Sequence, residues 1–392
     1  MLENINKRDK ILLAAFVLFF IYLLSNQFSE LNKLQSETTD FGTIFNASIA
    51  LNNGIDPYHA TGNAYFYPPV LAMLFGVLTF LPIAWASFLF FCLKIFLVVF
   101  ALKVCFQLVG GNRFTDSRKT LFIFGLVFIA ARFWESDLQY GNTNSLIMAL
   151  VILAIAWDSK DWWLLSGIAL ALATSIKILP VLLVIHFVFN RRWKTVAAFS
   201  IALLILNLLP FVWSYDSWLN AWQSYIDAGV VTKLNTRLSQ PDNQSLWGLI
   251  NRSFPTAALS NLQFIWLSCS ALLLGSAGWL SHKTRNSSST VTIAVASLYP
   301  LLGLLISPGS WVVHYTAVLL PMAVLWSILL SKDWQGLVPW TLFGVTNIIF
   351  TASGWSRFTV NAAINYSLFV FAVIILFSCI FWWANPLNSK RA

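Results

Sequence analysis

The chain has 392 residues, of which 58% are hydrophobic and only 10% charged, with a mean hydropathy of +0.73. A soluble globular protein carries roughly 25% charged residues to cover its surface, so a single soluble core is excluded and a bilayer is called for. The net charge of +9, from 24 Lys+Arg against 15 Asp+Glu, does not point to nucleic acid. The basic residues stand in short clusters between apolar runs and form no arm or stripe, which is how a polytopic membrane protein fixes its orientation.

Apolar runs of roughly 17–25 residues are long enough to span a bilayer, and shorter ones are tilted or partly buried in protein. In chain order the sequence predicts helices at 9–26, 85–109, 119–134, 145–158, 162–178, 180–190, 195–213, 260–281, 290–307, 312–331, 336–353 and 362–384. The first follows Lys7, Arg8 and Lys10 like a signal peptide, but no small-residue cleavage site comes after it, so it reads as an uncleaved anchor. Around Lys177-Ile178-Leu179-Pro180 one long helix is broken into a tight hairpin, because Pro180 removes a backbone donor and disfavours helix at Leu179. Residues 68–81 are apolar but short and bounded by prolines.

Positive charge arbitrates the topology. The clusters Lys7/Arg8/Lys10, Arg113/Arg118/Lys119, Arg191/Arg192/Lys194, Lys283/Arg285 and Lys390/Arg391 fall on one side, the cytoplasmic one, if 68–81 lies in the outer interface and 162–190 crosses twice. Both termini are then cytoplasmic. The expectation is an all-α polytopic membrane protein of about 12 transmembrane helices, one domain over 1–392, with interfacial helices in a first outer loop at 27–84 and a second large outer loop at 214–259. Cys92, Cys105, Cys269 and Cys379 all fall in apolar segments, so neither a disulfide framework nor a metal site is implied.

The polar chemistry gathers on the outer side. Phe41, Ile44, Phe45, Ser48, Ile49 and Leu51 approximate helical spacing, with Thr39 or Asp40 as N-cap; as a cap, Asp40 would be purely structural. Asp56, between Gly54 and Pro57, reads as a turn residue. Lys177 sits in an apolar hairpin, where an ammonium needs a partner, a function or a route by which its long stem snorkels to the interface. Trp213, Tyr215, Trp218, Trp222 and Tyr225 suit either an interfacial belt or sugar stacking. There is no Asp-x-Asp, and Glu135-Ser136-Asp137 offers too few hard ligands for a divalent cation; no cofactor is expected.

Several motifs occur together in order: Asp40 with Gly54-Ile55-Asp56-Pro57-Tyr58 and Tyr67-Pro68-Pro69; Gln139-Tyr140-Gly141-Asn142-Thr143-Asn144; Gly167 through Ser175-Ile176-Lys177-Ile178-Leu179-Pro180 to Arg191-Arg192-Trp193; Asn243-Gln244-Ser245-Leu246 with Arg252; and Ser307-Pro308-Gly309-Ser310-Trp311-Val312-Val313-His314-Tyr315. On these residues the chain resembles glycosyltransferase family 87, polyprenol-phosphate-mannose-dependent enzymes of the GT-C superfamily. It departs from the family pattern at Asn142, where many relatives have glutamine, and at Val313, where relatives often have a second histidine.

The resemblance implies a GT-C fold and an inverting transfer of a hexose, mannose first, from a polyprenyl-phosphate sugar to an acceptor hydroxyl on a glycan or glycolipid. It places the enzyme in the plasma membrane with the site facing outward. The first-loop acid of such enzymes is the catalytic base, a role that falls on Asp40. Lys177, Arg252 and His314 become candidates for the donor phosphate, and Tyr67, Gln139, Asn142, Asn144, Asn243 and Gln244 for substrate contacts. Each has a plainer reading as well, Arg252 as a loop arginine and His314 as a structural histidine at the interface. Two rival functions are a lipid-linked sugar transporter, which tends to show internal repeats and midplane charges, and a polysaccharide polymerase or ligase, which would lean on outer-loop arginines and not need Asp40. A lipid-binding protein without catalysis is a third.

Overall fold

The computed structural model describes residues 21, 39–62, 64–208, 215–227, 240–331, 337–352, 361 and 364–388, and all regular structure among them is helical. The expected anchor at 9–26 and the terminal Lys390/Arg391 lie outside the described residues.

The chain enters through three short helices. α1 (Asp40–Asn52) begins where the extended Thr39 accepts a hydrogen bond from the Gly42 N–H at 3.2 Å. Thr39 therefore takes the N-cap role, and Asp40 at the first helical position has its carboxylate available for another partner. Asp56 caps α2 (Pro57–Ala60) by accepting from the Tyr58 N–H at 2.9 Å. α3 (Pro69–Phe75) tightens into a 3-10 turn over Gly76–Phe80, where the Asn52 side chain donates to the Gly76 carbonyl at 3.3 Å and to Thr79 Oγ1 at 3.0 Å. Pro69–Phe80 together rises about 20 Å, short of the ~30 Å hydrocarbon layer. Aromatic rings seat these helices on the rest of the protein: Phe41 stacks on Phe90 with centroids 5.5 Å apart, and Phe75 meets the same ring edge-on at 5.0 Å.

The helices that follow match the apolar runs: α4 (Ile83–Leu108), α5 (Asp116–Tyr140), α6 (Asn144–Asp158), α7 (Trp163–Ile176), α8 (Leu183–Phe189) and α9 (Trp193–Leu208). α5 runs six residues past the expected end at 134, through the presumed outer turn, to Tyr140. It stops at Gly141, whose φ of 63° is left-handed and suits glycine. The Asn142 N–H then closes on the Asp137 carbonyl at 3.1 Å, the usual way a helix end satisfies its last carbonyls. Pro180 splits the hairpin as expected: α7 ends at Ile176, Lys177 is extended, and a 3-10 turn at Leu179–Leu182 leads into α8. α7 and α9 approach so closely at Gly167 that a Cβ there would stand 2.6 Å from the Phe199 backbone nitrogen.

The second large loop carries α10 (Tyr215–Ser224) and α11 (Leu246–Ser253), the latter capped by Ser245. Trp218 is buried in the protein, its indole N–H donating to the Asn207 carbonyl at 2.8 Å, which removes it from both roles considered for it; Trp213 lies outside the described residues. α12 (Leu259–Lys283), α13 (Ser289–Ala296) and α14 (Leu298–Ile306) follow. The expected helix at 290–307 is interrupted at Ser297, next to Pro300, which has no N–H to offer the Ala296 carbonyl. A 3-10 segment at Val312–Val318 continues into α15 (Leu319–Leu330), and α16 (Leu337–Ala352) and α17 (Leu368–Ala384) complete the main core.

Ile83–Leu108, Leu259–Lys283, Ser289–Ile306 and Val312–Leu330 are long and apolar enough to cross a membrane. The other apolar helices are shorter; α6, for example, rises about 22 Å over its length.

Candidate active site

The ends of α1, α5, α6 and α7 and the segment before α15 meet at one end of the helices. From the start of α1, the Asp40 carboxylate accepts a hydrogen bond from Asn142 Nδ2 at 2.7 Å. The left-handed Gly141 swings Asn142 into that position. Asn142 Oδ1 in turn accepts from Asn144 Nδ2 at 2.7 Å, and Asn144 Oδ1 accepts from Lys177 Nζ at 3.3 Å. Lys177 Nζ lies 2.9 Å from His314 Nε2. A continuous polar row thus joins the acid of the first loop to the lysine of the hairpin and the histidine of the last motif. Asp40, Asn142, Asn144, Lys177 and His314 were all candidates, and the fold brings all five together.

Burial raises the Asp40 carboxyl above its ordinary value of 3.8; the Asn142 hydrogen bond and the Lys177 charge oppose that rise. Tyr67 is buried within reach of the Asp40 and Asp137 charges. Its hydroxyl lies in hydrogen-bonding reach of Thr143, while those of Thr174 and Ser175 are buried with no hydrogen-bond partner among the described residues, and such orphans are rare in a protein interior.

Beyond Lys177 and His314 the site opens into a narrow cleft. Asn144, Lys177, Ser310 and His314 are at its polar end, and Met148, Val151, Leu183, Leu304 and Leu320 are among the apolar residues lining the rest. From Asn144 to Ile152 the cleft follows α6 for about 12 Å.

Asn243, Gln244 and Arg252 do not line this cleft. Asn243 and Gln244 grip the segment that carries His314: Asn243 Nδ2 donates to the Pro308 carbonyl at 2.9 Å, the Ser310 N–H donates to Asn243 Oδ1 at 3.0 Å, and the Tyr315 hydroxyl donates to the Gln244 carbonyl at 2.7 Å. The Arg252 guanidinium donates to the Gln240 and Asn243 carbonyls and to Ser367 Oγ at 2.6 Å. Gln139 lies half-buried in the last turn of α5.

One pair escaped the sequence reading. Lys94, in the middle of α4, and Asp137 are both buried and form an ion pair at 2.9 Å. Asp137 also accepts from the Asn144 N–H at 3.1 Å and from Ser145 Oγ at 2.5 Å, so it caps α6 at the residue that contacts Lys177. Lys94 donates as well to the Asp137 carbonyl. A lysine deep inside an apolar run was the available signal, since such a charge needs a partner.

The family model of glycosyltransferase family 87 matches residues 65–308, which is more than half of the chain. The chain belongs to glycosyltransferase family 87. Among its relatives, a polyprenol-phosphate-mannose-dependent alpha-(1-2)-phosphatidylinositol mannoside mannosyltransferase of Mycobacterium tuberculosis is 24% identical over 70% of this chain, and the match spans 62% of that relative's length. Its namesake from Mycolicibacterium smegmatis is 22% identical over 81% of this chain and 77% of its own. An alpha-(1->3)-arabinofuranosyltransferase of Mycobacterium tuberculosis is 24% identical over 45% of this chain and 42% of its own. The family match takes in Tyr67, Gln139, Asn142, Asn144, Lys177, Asn243, Gln244 and Arg252 and leaves Asp40 and His314 outside its limits. In this family 87 chain the fold closes that gap, because Asp40 and His314 stand at the two ends of the same polar row.

Proposed function

We propose that this family 87 chain is a membrane glycosyltransferase that moves mannose from a polyprenyl-phosphate carrier to an acceptor hydroxyl, with inversion, on the non-cytoplasmic face of the plasma membrane. The observation that carries this reading is the row from Asp40 through Asn142 and Asn144 to Lys177 and His314. It puts one carboxylate at the protein's entry loop and two side-chain nitrogens at the mouth of an apolar cleft. Mannose is preferred over a pentose because the first relatives are named as polyprenol-phosphate-mannose-dependent.

In the proposed reaction the acceptor oxygen forms its bond to the anomeric carbon while the bond from that carbon to the phosphate oxygen breaks. Asp40 accepts the acceptor's proton, and the polyprenyl phosphate departs with the electron pair. Direct displacement needs one base and no second carboxylate, unlike a retaining hydrolase. The reaction so written uses no cofactor.

The phosphate belongs at Lys177 and His314. Lys177 Nζ, which can only donate, stands 2.9 Å from His314 Nε2, and Trp311 N–H holds the other ring nitrogen, Nδ1, at 3.3 Å. An anionic oxygen beside the pair accepts from the ammonium. The polyprenyl chain runs into the cleft along α6, and the sugar lies toward Asp40, beside the hydroxyls of Tyr67 and Thr143. Asn243 and Gln244 act by holding the segment of His314 in place, and Arg252 by bracing Asn243.

The deciding experiment is transfer of radiolabelled mannose from synthetic polyprenyl-phosphate mannose by purified protein in detergent, alongside Asp40→Asn. An asparagine keeps an acceptor for Asn142 and removes the base, so a folded variant should lose about 10²- to 10⁴-fold in rate. Undiminished transfer by folded Asp40→Asn would overturn the base assignment, and failure with every polyprenyl-phosphate sugar would overturn the donor class.

A further inference from the structure

The far end of the same helices holds a second cavity, open to the surface, that the transfer chemistry does not use. It lies where α6 ends, where α8 turns into α9, and where α13 begins; Asp158, Asn190, Arg191, Arg192, Arg285 and Thr292 form much of its polar wall. Arg192 is engaged within the protein, with Nε 3.2 Å from Asp158 and Nη1 2.6 Å from Asp161. Thr195 Oγ1 completes Asp158 at 2.7 Å. The side chains of Arg191 and Arg285 have neither a carboxylate nor a hydrogen-bond partner among the described residues.

Three further features concern what could occupy this cavity. Arg191 has φ 58° at the residue that closes α8, where the Arg192 N–H reaches the Phe187 carbonyl at 2.8 Å. Glycine or asparagine usually fills that left-handed position, and an arginine there accepts backbone strain that glycine avoids. The side chain, not the turn, accounts for the residue. Asn190 Oδ1 is buried and receives no hydrogen bond, while its Nδ2 donates to the His186 carbonyl at 2.9 Å. Finally, Ser288 makes no side-chain cap at the start of α13, so first-turn N–H groups remain for an anion.

The surroundings favour a lipid over a soluble anion. Trp162, Trp163, Phe189 and Trp193 are exposed at this end, and exposed aromatic rings at helix ends mark the membrane–water interface. Basic pockets between membrane helices bind anionic lipid head groups. We infer that this cavity holds the head group of an anionic phospholipid, its phosphodiester between Arg191, Arg285 and the start of α13, and a head-group hydroxyl donating to Asn190 Oδ1. On the orientation proposed above, the site faces the cytoplasm.

The test uses the delipidated full chain in neutral detergent, titrated by native mass spectrometry with phosphatidylglycerol, with phosphatidylcholine of the same acyl chains, and with glycerol 3-phosphate. One phosphatidylglycerol should bind roughly tenfold or more tighter than phosphatidylcholine, which has the same phosphodiester but sets a choline cation against the two arginines and offers Asn190 no hydroxyl. That preference should disappear in Arg191→Gly/Arg285→Gln with the unfolding temperature unchanged, since glycine suits the backbone at 191. Arg191→Gly alone should weaken it, and Lys283→Gln, exposed on the same face, should not. Equal binding of the two lipids, an unchanged preference in the double variant, or displacement of phosphatidylglycerol by equimolar glycerol 3-phosphate would each refute the lipid site. Sugar transfer is not the readout, so this outcome is separate from that of the Asp40 test.

Discussion

Asn142 donates to the Asp40 carboxylate at 2.7 Å across 102 positions of sequence. That contact ties the entry loop to the helix hairpin and sets the ionisation of the proposed base.

Its first consequence is a pH profile. Burial places the Asp40 carboxyl above its ordinary 3.8 and the Asn142 hydrogen bond pulls it back. The acid limb of kcat/KM should therefore lie above that of an ordinary carboxylate, since activity requires the ionised form. Asn142→Leu removes a lowering influence, so the limb should move to still higher pH. A limb that stays put in Asn142→Leu would mean that Asp40 does not limit the rate.

Lys177 should matter through its charge. Lys177→Met removes a charge-assisted contact worth about 1.5–3 kcal/mol, which predicts roughly a 10- to 100-fold loss in kcat/KM for the lipid donor. Lys177→Arg should retain part of it. Steady-state kinetics with the donor varied and the acceptor saturating distinguishes these; equal rates for Lys177→Met and the parent would remove the phosphate from this residue.

The buried pair of Lys94 and Asp137 predicts non-additive stability. Removing one partner of a buried ion pair leaves a bare charge and costs about 3–5 kcal/mol. Lys94→Met alone should therefore lower the unfolding temperature more than Lys94→Met/Asp137→Asn, because the second change removes that charge and keeps an acceptor for the Asn144 N–H. Additive losses in the double-mutant cycle would show that the two are not coupled.

Packing makes the last prediction. A side chain at 167 meets the backbone of α9, which cannot swing away as a flexible side chain can. Gly167→Val should cost about 1–3 kcal/mol, the usual cost of overpacking, measured as a fall in unfolding temperature with the site residues untouched. An unchanged temperature would show that α7 and α9 separate freely.

Much of this was legible in sequence because it is local. Apolar runs marked α4, α6, α7, α9 and α12 nearly to their ends, and Pro180 announced the hairpin. Asp40 stood out at a helix start in the first outer loop, and Lys177 as a charge in an apolar hairpin. What was hidden is non-local. Asp137 looked like part of a polar turn, and only Lys94, 43 positions away, lets α5 continue through it. Arg252 read as a donor-phosphate candidate or a plain loop arginine, but its partners are carbonyls nearby and Ser367, 115 positions on. Thr39 and Asp40 are adjacent candidates for one cap, and only the fold shows which took it.

The modest length of α6, Asn144–Asp158, has a consequence for the lipid around it. A helix rising about 22 Å in hydrocarbon ~30 Å thick leaves a hydrophobic mismatch of about 8 Å, which the bilayer meets by thinning or the neighbouring helices by tilting. If α6 spans the bilayer, Asn144 at its head and the polar row it joins lie below the interface, enclosed by the protein. On the donor site proposed above, a carrier's phosphate would sink below its usual depth to reach Lys177, and the ease of that descent would vary with the thickness of the host membrane.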